Sequence, residues 1–372
     1  MHSSSPVINS HHSMPADTHF PEANSLTARL FETLKRHPKR IVFADGEDIR
    51  VIRVAARMVA MEISVPILLG RRERIHQMAN EHDLPMTFIS VIDPAKSSDL
   101  ELFCERLKKV ARYRGKDIAN PCELVSRPHN FAAMMVQYGH ADGMIAGNQS
   151  MPAAVLRAVM TMIKPVKGVP QVFGSMIMVA PHLKHFGRDG MLFMADCGVI
   201  PEPDVKQLAS IAVETGKLAH HFLGRRPRVA MLSHSTHGSA ATDSAKKVAA
   251  AAELARQQIH SEYLEIDVDG EIQADVALDS SAAEIKLHDQ RAQEPADVLV
   301  YPNLDAGHIA LKLLQHTAGA QNYGQLIMGL TRPAAQVAQT VTEETLLGTV
   351  AIIGAEAIKS NDLHLEEQSH GE

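Results

Sequence analysis

The fold is decided by Arg228-Val-Ala-Met-Leu-Ser-His-Ser-Thr-His-Gly-Ser239. The apolar first half of this stretch has the length of a buried strand, and the second half changes to hydroxyl residues and a glycine before a helical pattern over 245–258. A strand that leads into a helix amino terminus gathers free backbone N–H groups, hydroxyls and the positive end of the helix dipole. Because these groups bind anions, the stretch predicts a phosphate-bearing ligand. The alternative is an ordinary helix cap rich in serine and threonine.

Strand and helix patterns alternate along the rest of the chain. Helical spacing of apolar residues follows Ser25, begins again at Ile49, continues through Ile75 and Met78, and recurs over 132–138. Short apolar runs predict strands over 40–44, 65–70, 88–92, 141–147, 172–179, 191–195, 228–232, 298–302 and 326–330. This alternation is typical of βαβ units, so we predict an α/β fold with a parallel sheet.

Length and composition narrow the function classes. The chain has 372 residues, which exceeds one hydrophobic core and predicts two or three domains. Its formal net charge is −6, with basic residues interspersed among acidic ones, so nucleic acid is not an expected partner. The chain has no run of about 18 apolar residues, and a membrane is not expected either. We expect the polar residues 1–25 to form a disordered tail, because they match no secretory signal.

Three widely spaced cysteines, Cys104, Cys122 and Cys197, bear on the cellular compartment. Their odd number and spacing suggest neither a disulfide framework nor a metal site, so we expect a reducing cytoplasm and no metal. Cys197 follows Asp196 after an apolar run. Its thiol is either reactive or buried as a small hydrophobic group.

Polar or glycine-containing turns follow five of the predicted strands. They occupy residues 45–48, 147–150, 196–198, 233–239 and 303–307. Ligands of open α/β sheets bind at the carboxyl ends of the strands, so we expect all five turns to line one shared cleft.

Seven blocks, in order between about Pro38 and about Ile358, resemble a known family. They are Val42-Phe-Ala-Asp-Gly-Glu47, Ala141-Asp-Gly-Met-Ile-Ala-Gly147, Leu156-Arg-Ala-Val-Met-Thr-Met-Ile-Lys164, Leu192-Phe-Met-Ala-Asp-Cys-Gly-Val-Ile-Pro-Glu-Pro203, Met231-Leu-Ser-His-Ser-Thr-His-Gly-Ser239, Asp269-Gly-Glu-Ile-Gln-Ala-Asp275 and Pro302-Asn-Leu-Asp-Ala-Gly-His308. The chain resembles the phosphate acetyl/butyryltransferases (phosphotransacetylases), and the related domain fused to the carboxyl end of some bacterial malic enzymes. The resemblance implies reversible transfer of a short acyl group between CoA and inorganic phosphate. No metal and no protein-bound acyl intermediate are implied.

The resemblance also implies an architecture and a set of partners. It implies two doubly wound parallel-sheet domains with an interdomain cleft, the second domain inserted in the first, in a homodimer. Domain I would comprise 26–168 and 327–362, and domain II would comprise 169–326. The ligands would be acyl-CoA, phosphate and acyl phosphate, with CoA or acetyl-CoA as a substrate and no permanently bound cofactor.

Candidate site residues follow from the same resemblance. An acyl phosphate carries roughly two negative charges, which a guanidinium with bidentate reach binds well. Arg157 stands where the family places such an arginine, with a solvated helix charge as the alternative. The predicted catalytic residues are Arg157, Ser235, Thr236 and Glu344. The predicted substrate-binding residues are Arg112 or Arg114, Gly147, Ser150, Ser233, Gly238, Ser239, Asn303, Gly307 and Arg332.

The hydroxyls of the 233–239 turn would donate to phosphoryl oxygens or to the carbonyl oxygen that becomes negative during attack. Asp196, Glu271 and Asp275 either support these groups or act as caps. General-base roles for His234 and His237 are not expected, because the family has an aromatic residue and a lysine at those places.

The chain departs from the family at its block Asp-Leu-Ser-Arg-Gly-Cys-Ser. Ala338 and Gln339 replace the serine and the arginine, and Thr345 replaces an assisting aspartate. Loss of such a transition-state contact commonly costs about 100- to 1,000-fold in rate. Glu344 and Arg332 are the nearest candidates to substitute. The 147–150 turn also departs from the family pattern, which has His-Ser-Thr there.

Two functions stay open on the sequence alone. The first is an acyltransferase of the phosphate acetyltransferase type, in which CoA thiolate attacks acyl phosphate. The second is a catalytically impaired acyl-CoA-binding regulatory protein that resembles the malic-enzyme domain. A dinucleotide-dependent dehydrogenase is disfavoured, because residues 45–50 lack the Gly-x-Gly-x-x-Gly turn.

Overall fold

The computed structural model describes residues 25–113, 118–183, 186–188, 190–287 and 294–369. The strands in these ranges are β1 (Lys39–Phe43), β2 (Ser64–Leu69), β3 (Ser90–Ile92), β4 (Gly143–Ala146), β5 (Phe173–Val179), β6 (Met191–Ala195), β7 (Arg228–Leu232), β8 (Asp267–Ile272), β9 (Val298–Val300), β10 (Gln321–Met328) and β11 (Ala334–Gln336). The α-helices are α1 (Ser25–Arg36), α2 (Ile49–Ala60), α3 (Arg72–Glu81), α4 (Leu100–Tyr113), α5 (Pro121–Val125), α6 (Pro128–Gln137), α7 (Pro152–Met162), α8 (Val205–Leu223), α9 (Asp243–Ser261), α10 (Ala274–Leu278), α11 (Ser280–Leu287), α12 (Leu304–Thr317) and α13 (Glu343–Ser369). A short 3-10 helix, Pro94–Lys96, follows β3.

The strands of the described ranges form one 11-stranded sheet in the order β3-β2-β1-β4-β11-β10-β5-β6-β9-β7-β8. Seven strand pairs are parallel. The antiparallel pairs, β11 with β10, β10 with β5, and β5 with β6, lie together in the middle. The predicted α/β class with a mainly parallel sheet is therefore confirmed.

The antiparallel pairs divide the sheet into two flanks. The first flank is β3, β2, β1, β4 and β11, and the second flank is β6, β9, β7 and β8. Three consecutive reversals separate β11 from β6, so the strands of the two flanks run in opposite directions. The carboxyl ends of the first flank therefore lie at one edge of the sheet, and those of the second flank lie at the opposite edge.

Helices cover both faces of the sheet. Along β1, Ile41 and Phe43 face one apolar cluster and Val42 faces another. The first cluster continues along one whole face, under α1, α2, α3, α8, α9 and α13. The opposite face has two separate clusters, one under α4 to α7 and one under α10 to α12. Strands covered on both faces are apolar throughout, which explains why short apolar runs predicted them.

The cysteines do not all behave as the sequence analysis expects. Cys104 of α4 and Cys122 of α5 form a disulfide with Cα atoms 5.0 Å apart, so the expectation of no disulfide is wrong. The pairing depends on how α4 packs against α5, which a separation of 18 residues does not reveal. Cys197 is free and buried, and burial raises the pKa of its thiol. This agrees with the small-hydrophobe alternative.

Two strands, β8 and β11, are not predicted from the sequence. Strand β8 reads Asp-Val-Asp-Gly-Glu-Ile, whose acidic residues hide the apolar pattern, and β11 has only 3 residues. Residues 1–24 of the predicted tail 1–25 lie outside the described residues, and Ser25 is the first residue of α1. The domain boundaries stay a prediction. Within the described ranges, no helix is long and apolar enough to cross a membrane. The same ranges contain no group of three or more His, Cys, Asp or Glu side chains arranged to hold a metal ion.

Candidate active site

Three turns meet at the carboxyl edge of the first flank, which we call the first edge. They follow β1, β4 and β11, which run parallel, with β4 paired to both of the others. The turn after β1 begins with Asp45, the turn after β4 is 147–150, and the segment 338–342 follows β11. The structure thus brings together the predicted residues Gly147, Ser150 and Glu344.

Asp45 holds the turn after β4 in place. Its buried carboxylate accepts hydrogen bonds from Gly147 N at 2.7 Å, from Ser150 N at 3.1 Å and from Ser150 Oγ at 2.5 Å. Gly147 has φ +122°, and an added Cβ would lie 2.1 Å from the carbonyl oxygen of Val337. Only glycine allows this close approach of two backbones. Gly147 therefore joins the β4 turn to the β11 segment.

The segment after β11 carries the residues that replace the family's serine and arginine. The side chains of Ala338 and Gln339 are exposed. Their backbone is held by Arg50, whose Nη1 donates to the carbonyl oxygens of Gln339 at 2.8 Å and of Val341 at 2.9 Å. The backbone of the segment is therefore fixed, and the side chains of Ala338 and Gln339 point toward solvent.

Helix α13 begins at the same edge. Thr345, in the place of the family's aspartate, shares a hydrogen bond of 2.9 Å with the hydroxyl of Thr342. Glu343 forms an ion pair with Arg53 at 3.1 Å. Glu344 lies between them in the first turn, and its side chain is exposed. A carboxylate is therefore present at this edge, one position from the replaced aspartate.

Arg157 lies on α7, the helix that leaves the first edge after β4. Its side chain is exposed and makes no hydrogen bond or ion pair with a residue of the described ranges. It acts electrostatically on His129, at the start of α6. Burial lowers the pKa of His129, Arg127 and Arg157 act in the same direction, and Asp45 opposes them. Arg157 and Asp45 therefore lie near the same imidazole, which places Arg157 close to the first edge.

The 233–239 turn forms a self-contained network at the second flank. The fully buried Ser235 donates from Oγ to Glu271 Oε1 at 2.9 Å, and Gly238 N donates to the same oxygen at 2.7 Å. Burial alone would raise the pKa of Glu271, but these hydrogen bonds and the nearby His237 hold it below its usual value. Ser235 Oγ also accepts a hydrogen bond from Ala240 N at 3.0 Å. Its hydroxyl is thus committed to the protein.

The other hydroxyls of this turn are also engaged. Ser239 Oγ accepts a hydrogen bond from Thr236 N at 3.0 Å, and Thr236 Oγ1 accepts one from Gln273 N at 3.1 Å. Ser233 Oγ accepts one from the backbone N–H of residue 235 at 3.2 Å. His237 Nε2 lies 2.9 Å from a carboxylate oxygen of Asp269. The N-cap of α9 is Thr242, outside this stretch, so these contacts hold the turn together and do not cap a helix. The predicted binding and catalytic roles of the hydroxyls stay predictions.

Three further predicted residues have structural contacts near the carboxyl end of β6. Asp196 accepts hydrogen bonds from the four backbone N–H groups of residues 174, 198, 199 and 200, at 2.7 to 3.2 Å. Asn303 caps α12 by accepting a hydrogen bond from Ala306 N at 3.0 Å. At Gly307, an added Cβ would lie 2.4 Å from the carbonyl oxygen of Asp196. Asp196 is thus a turn-forming residue, and Gly307 permits close packing of α12.

Asp275, another predicted supporting residue, also contacts a neighbouring side chain of the protein. Its carboxylate lies 2.6 Å from Lys286 Nζ, with both side chains partly exposed. It therefore forms a surface ion pair.

The five predicted turns are divided between the two flanks of the sheet. The turns at 45–48 and 147–150 lie at the first edge, whereas those at 196–198, 233–239 and 303–307 lie at the carboxyl edge of the second flank. Strands β4 and β7 are six positions apart in the sheet, or about 29 Å at ~4.8 Å per strand. The expectation that all five turns line one shared cleft stays a prediction.

Two other predicted arginines, Arg332 and Arg112, are placed differently from Arg157. Arg332 precedes β11 and so lies at the amino-terminal edge of the first flank, where its neighbour Thr331 donates to the carbonyl oxygen of Lys164 at 2.9 Å. It does not replace the lost arginine at the first edge. Arg112 is exposed near the end of α4. Arg114 lies outside the described residues, so the choice between Arg112 and Arg114 stays open.

Sequence reasoning missed two residues at the first edge, Arg50 and His129. Arg50 follows a turn that was recognised, but its hydrogen-bond partner Gln339 is 289 positions away. His129 follows a proline at the first helical position of α6, which indicates a helix start and nothing about a site.

The fold and this edge define an α/β protein with polar turns, an exposed arginine and an exposed carboxylate near the carboxyl ends of adjoining parallel strands. A family model described as Phosphate acetyl/butaryl transferase matches residues 25–354. A phosphate acetyltransferase from Acetivibrio thermocellus is 33% identical over 333 residues, covering 90% of this chain and 98% of that protein. One from Staphylococcus epidermidis is 34% identical over 336 residues, covering 90% and 99%.

Solved structures agree with the sequence relatives. A phosphotransacetylase from Staphylococcus aureus superposes with a TM-score of 0.79 at 32% identity, covering 89% of this chain and 98% of that one. One from Streptococcus pyogenes gives 0.81 at 28% identity, covering 90% and 98%. This chain belongs to the phosphate acetyl/butyryltransferase family.

Proposed function

We propose that this chain catalyses the reversible transfer of a short acyl group, most simply acetyl, between CoA and inorganic phosphate. Family membership supports the reaction class. The observation that carries the proposal is the first edge, where exposed Arg157, exposed Glu344 and half-buried Ser150 lie around adjoining strand ends. Helices α7 and α13 also begin there, and the positive ends of their dipoles favour a bound phosphate.

The proposed step is a direct attack. The sulfur of CoA thiolate forms a bond to the carbonyl carbon of the acyl phosphate, and the bond from that carbon to the phosphate oxygen breaks. Phosphate leaves, and the thiol proton passes to a base. A free thiol with a pKa near ~8.5 is mostly protonated at neutral pH, so a base is needed. We assign this role to Glu344 and the binding of the phosphoryl group to Arg157.

Finer features belong to the same proposal. The substrates are acyl-CoA, phosphate and acyl phosphate, and no cofactor is bound permanently. The chain works as a homodimer in the cytoplasm, where the exposed Cys122 of the disulfide is accessible to reductants. Residues 26–168 with 327–362 form domain I, and residues 169–326 form domain II.

The test is thioester formation from CoA and acetyl phosphate, measured beside propionyl and butyryl phosphate. Arg157→Ala is expected to lower kcat/KM about 100- to 1,000-fold, as for loss of a group that stabilises transition-state charge. Arg256→Ala removes an exposed arginine from α9 on the second flank and is the matched control. Wild-type rates at background with all three acyl phosphates would refute the proposal.

The regulatory alternative makes a different prediction, and the comparisons do not favour it. Its basis is the replacement pair Ala338 and Gln339. It requires equal stabilisation by acetyl-CoA of the wild type and of the double variant Ala338→Ser/Gln339→Arg, with turnover only in the double variant. Turnover by the wild type at enzyme-like rates eliminates it.

A further inference from the structure

Arg50 has an unusual set of hydrogen-bond partners at the first edge. Its Nε donates to Asp48 Oδ1 at 3.0 Å and its Nη2 to Asp48 Oδ2 at 2.6 Å. Nη2 also donates to the carbonyl oxygen of Asn148 at 3.3 Å. Nη1 donates to the carbonyl oxygens of Gln339 at 2.8 Å and of Val341 at 2.9 Å. A guanidinium has five N–H donors, and all five are used by the protein.

These hydrogen bonds distinguish Arg50 from an arginine that binds substrate. No donor is left for a phosphoryl oxygen, and the side chain of Arg50 is only 27% exposed. Its charge is already paired with Asp48, whose side chain is 6% exposed and which also caps α2 through Arg50 N at 2.9 Å. Arg157, in contrast, is exposed and free of such contacts within the described ranges.

The five bonds connect three segments that are far apart in sequence. Asp48 orients the guanidinium from the turn after β1, and the accepting carbonyls lie in the turn after β4 and in the segment after β11. Residues 338–344 include Ala338 and Gln339, two of the three replaced family positions, and Glu344, which is three residues beyond Val341. The position of this segment relative to Ser150 is thus set by one side chain.

We infer that Arg50 is a positioning residue for acyl transfer, which fixes segment 338–344 against the turn after β4 without contacting substrate. This inference rests on the proposed function. Placement errors of about 1 Å can cost ~100-fold in rate, because reacting groups must be held in a near-attack geometry. Lysine keeps the charge but has a single nitrogen with three donors, so it cannot span these carbonyls and both oxygens of Asp48.

The chain offers a matched control at the opposite end of the first flank. Arg40, in β1, binds Asp142 through Nε at 3.2 Å and Nη2 at 2.9 Å. It also donates to the carbonyl oxygens of His140 at 3.2 Å and of Gly139 at 2.9 Å. It has the same type of contacts, but it lies at the amino-terminal ends of β1 and β4.

The experiment compares Arg50→Lys and Arg40→Lys with the wild type in the acetyl phosphate assay. Arg50→Lys is expected to lower kcat about 10- to 100-fold while KM for both substrates stays within about 3-fold, the pattern for a group that acts on geometry. Amide hydrogen exchange over 338–342 is expected to quicken in Arg50→Lys only. Arg40→Lys is expected to keep the wild-type kcat, although its melting temperature falls by about as much as that of Arg50→Lys.

A second variant guards against a folding defect. Asp48→Asn keeps an oxygen for the helix cap but weakens the orientation of Arg50, and a smaller fall in kcat is expected. The inference is overturned if Arg50→Lys keeps wild-type kcat, or if Arg40→Lys loses kcat equally. Absence of turnover in the wild type would instead refute the proposed function, and the two failures are therefore distinguishable.

Discussion

Replacing Asp45 by asparagine is expected to loosen the turn that carries Ser150. The carboxylate accepts three hydrogen bonds at 2.5 to 3.1 Å from Gly147 and Ser150. Asparagine has the same shape but offers one oxygen and one NH2 group. If the oxygen keeps both hydrogen bonds to Ser150, the NH2 group faces the N–H of Gly147. Two donors then face each other, and the hydrogen bond of Gly147 is lost.

The magnitude follows from these contacts. Leaving the Gly147 N–H unsatisfied costs about 1 to 3 kcal/mol, and changing two charge-assisted bonds to neutral ones costs about 1 kcal/mol each. The turn cannot shift to recover the loss, because Gly147 already lies against the Val337 carbonyl. We expect a total destabilisation of about 3 to 5 kcal/mol.

Urea unfolding followed by circular dichroism measures this loss, and the acetyl phosphate assay reports the effect on turnover. The matched control is Asp275→Asn, which removes a partly exposed carboxylate paired with Lys286 and is expected to cost at most about 1 kcal/mol. Equal destabilisation by the two variants would contradict the reasoning, since the argument depends on the burial of Asp45.

Three other predictions concern stability. Burial lowers the pKa of His221 to about 4. Between about pH 4 and 6.5 the unfolded chain therefore binds more protons than the folded chain. The free energy of unfolding is highest above pH 6.5 and decreases as the pH is lowered from 6.5 to 4. His221→Leu is expected to make this decrease in the free energy of unfolding smaller by about 2 kcal/mol, a value reduced because His221 is partly exposed. If the pH dependence of unfolding is the same in this variant and in the wild type, the prediction is wrong. Gly307→Ala places a Cβ 2.4 Å from a backbone oxygen and is expected to lower the melting temperature, whereas Gly224→Ala, at a cap with open space, should have a smaller effect. Reducing Cys104–Cys122, which closes a loop of 18 residues, is expected to cost about 3 kcal/mol in unfolding experiments, and identical curves with and without reductant would contradict this.

Much of the fold could be predicted from the sequence because the strands are covered on both faces. The run 172–179 predicted β5 within one residue, and 191–195 predicted β6 at both ends. Strand β8 was missed because the acidic residues in its sequence interrupt the apolar pattern. The direction reversal was also invisible, because it arises when β10 and β11 return from the end of the chain to pair between β4 and β5.

The candidate site was only partly predictable. Family blocks marked Gly147 and Arg157, and the polar turn after a predicted strand marked Ser150; in the structure all three belong to β4, to its turn and to the helix that follows. The same blocks marked Ser235, yet its hydroxyl is buried on Glu271, since a hydroxyl-rich turn can satisfy itself as readily as it can bind an anion. Arg50 could not be found, because its function depends on carbonyl groups, and a carbonyl belongs to every residue type.

The middle strands have a mechanical consequence for the molecule. Strands β10 and β5 are hydrogen-bonded to each other and to a strand on either side, so a continuous backbone ladder joins the two flanks. Any movement of one flank relative to the other therefore has to bend these strands, because the flanks are joined by a hydrogen-bonded sheet and not by a flexible linker alone. Within that ladder the register is irregular between Tyr323 and Leu326, where Gly324 has φ +118°. Irregularities of this kind bend a strand and increase its twist locally, so the ladder that joins the flanks is bent at Gly324.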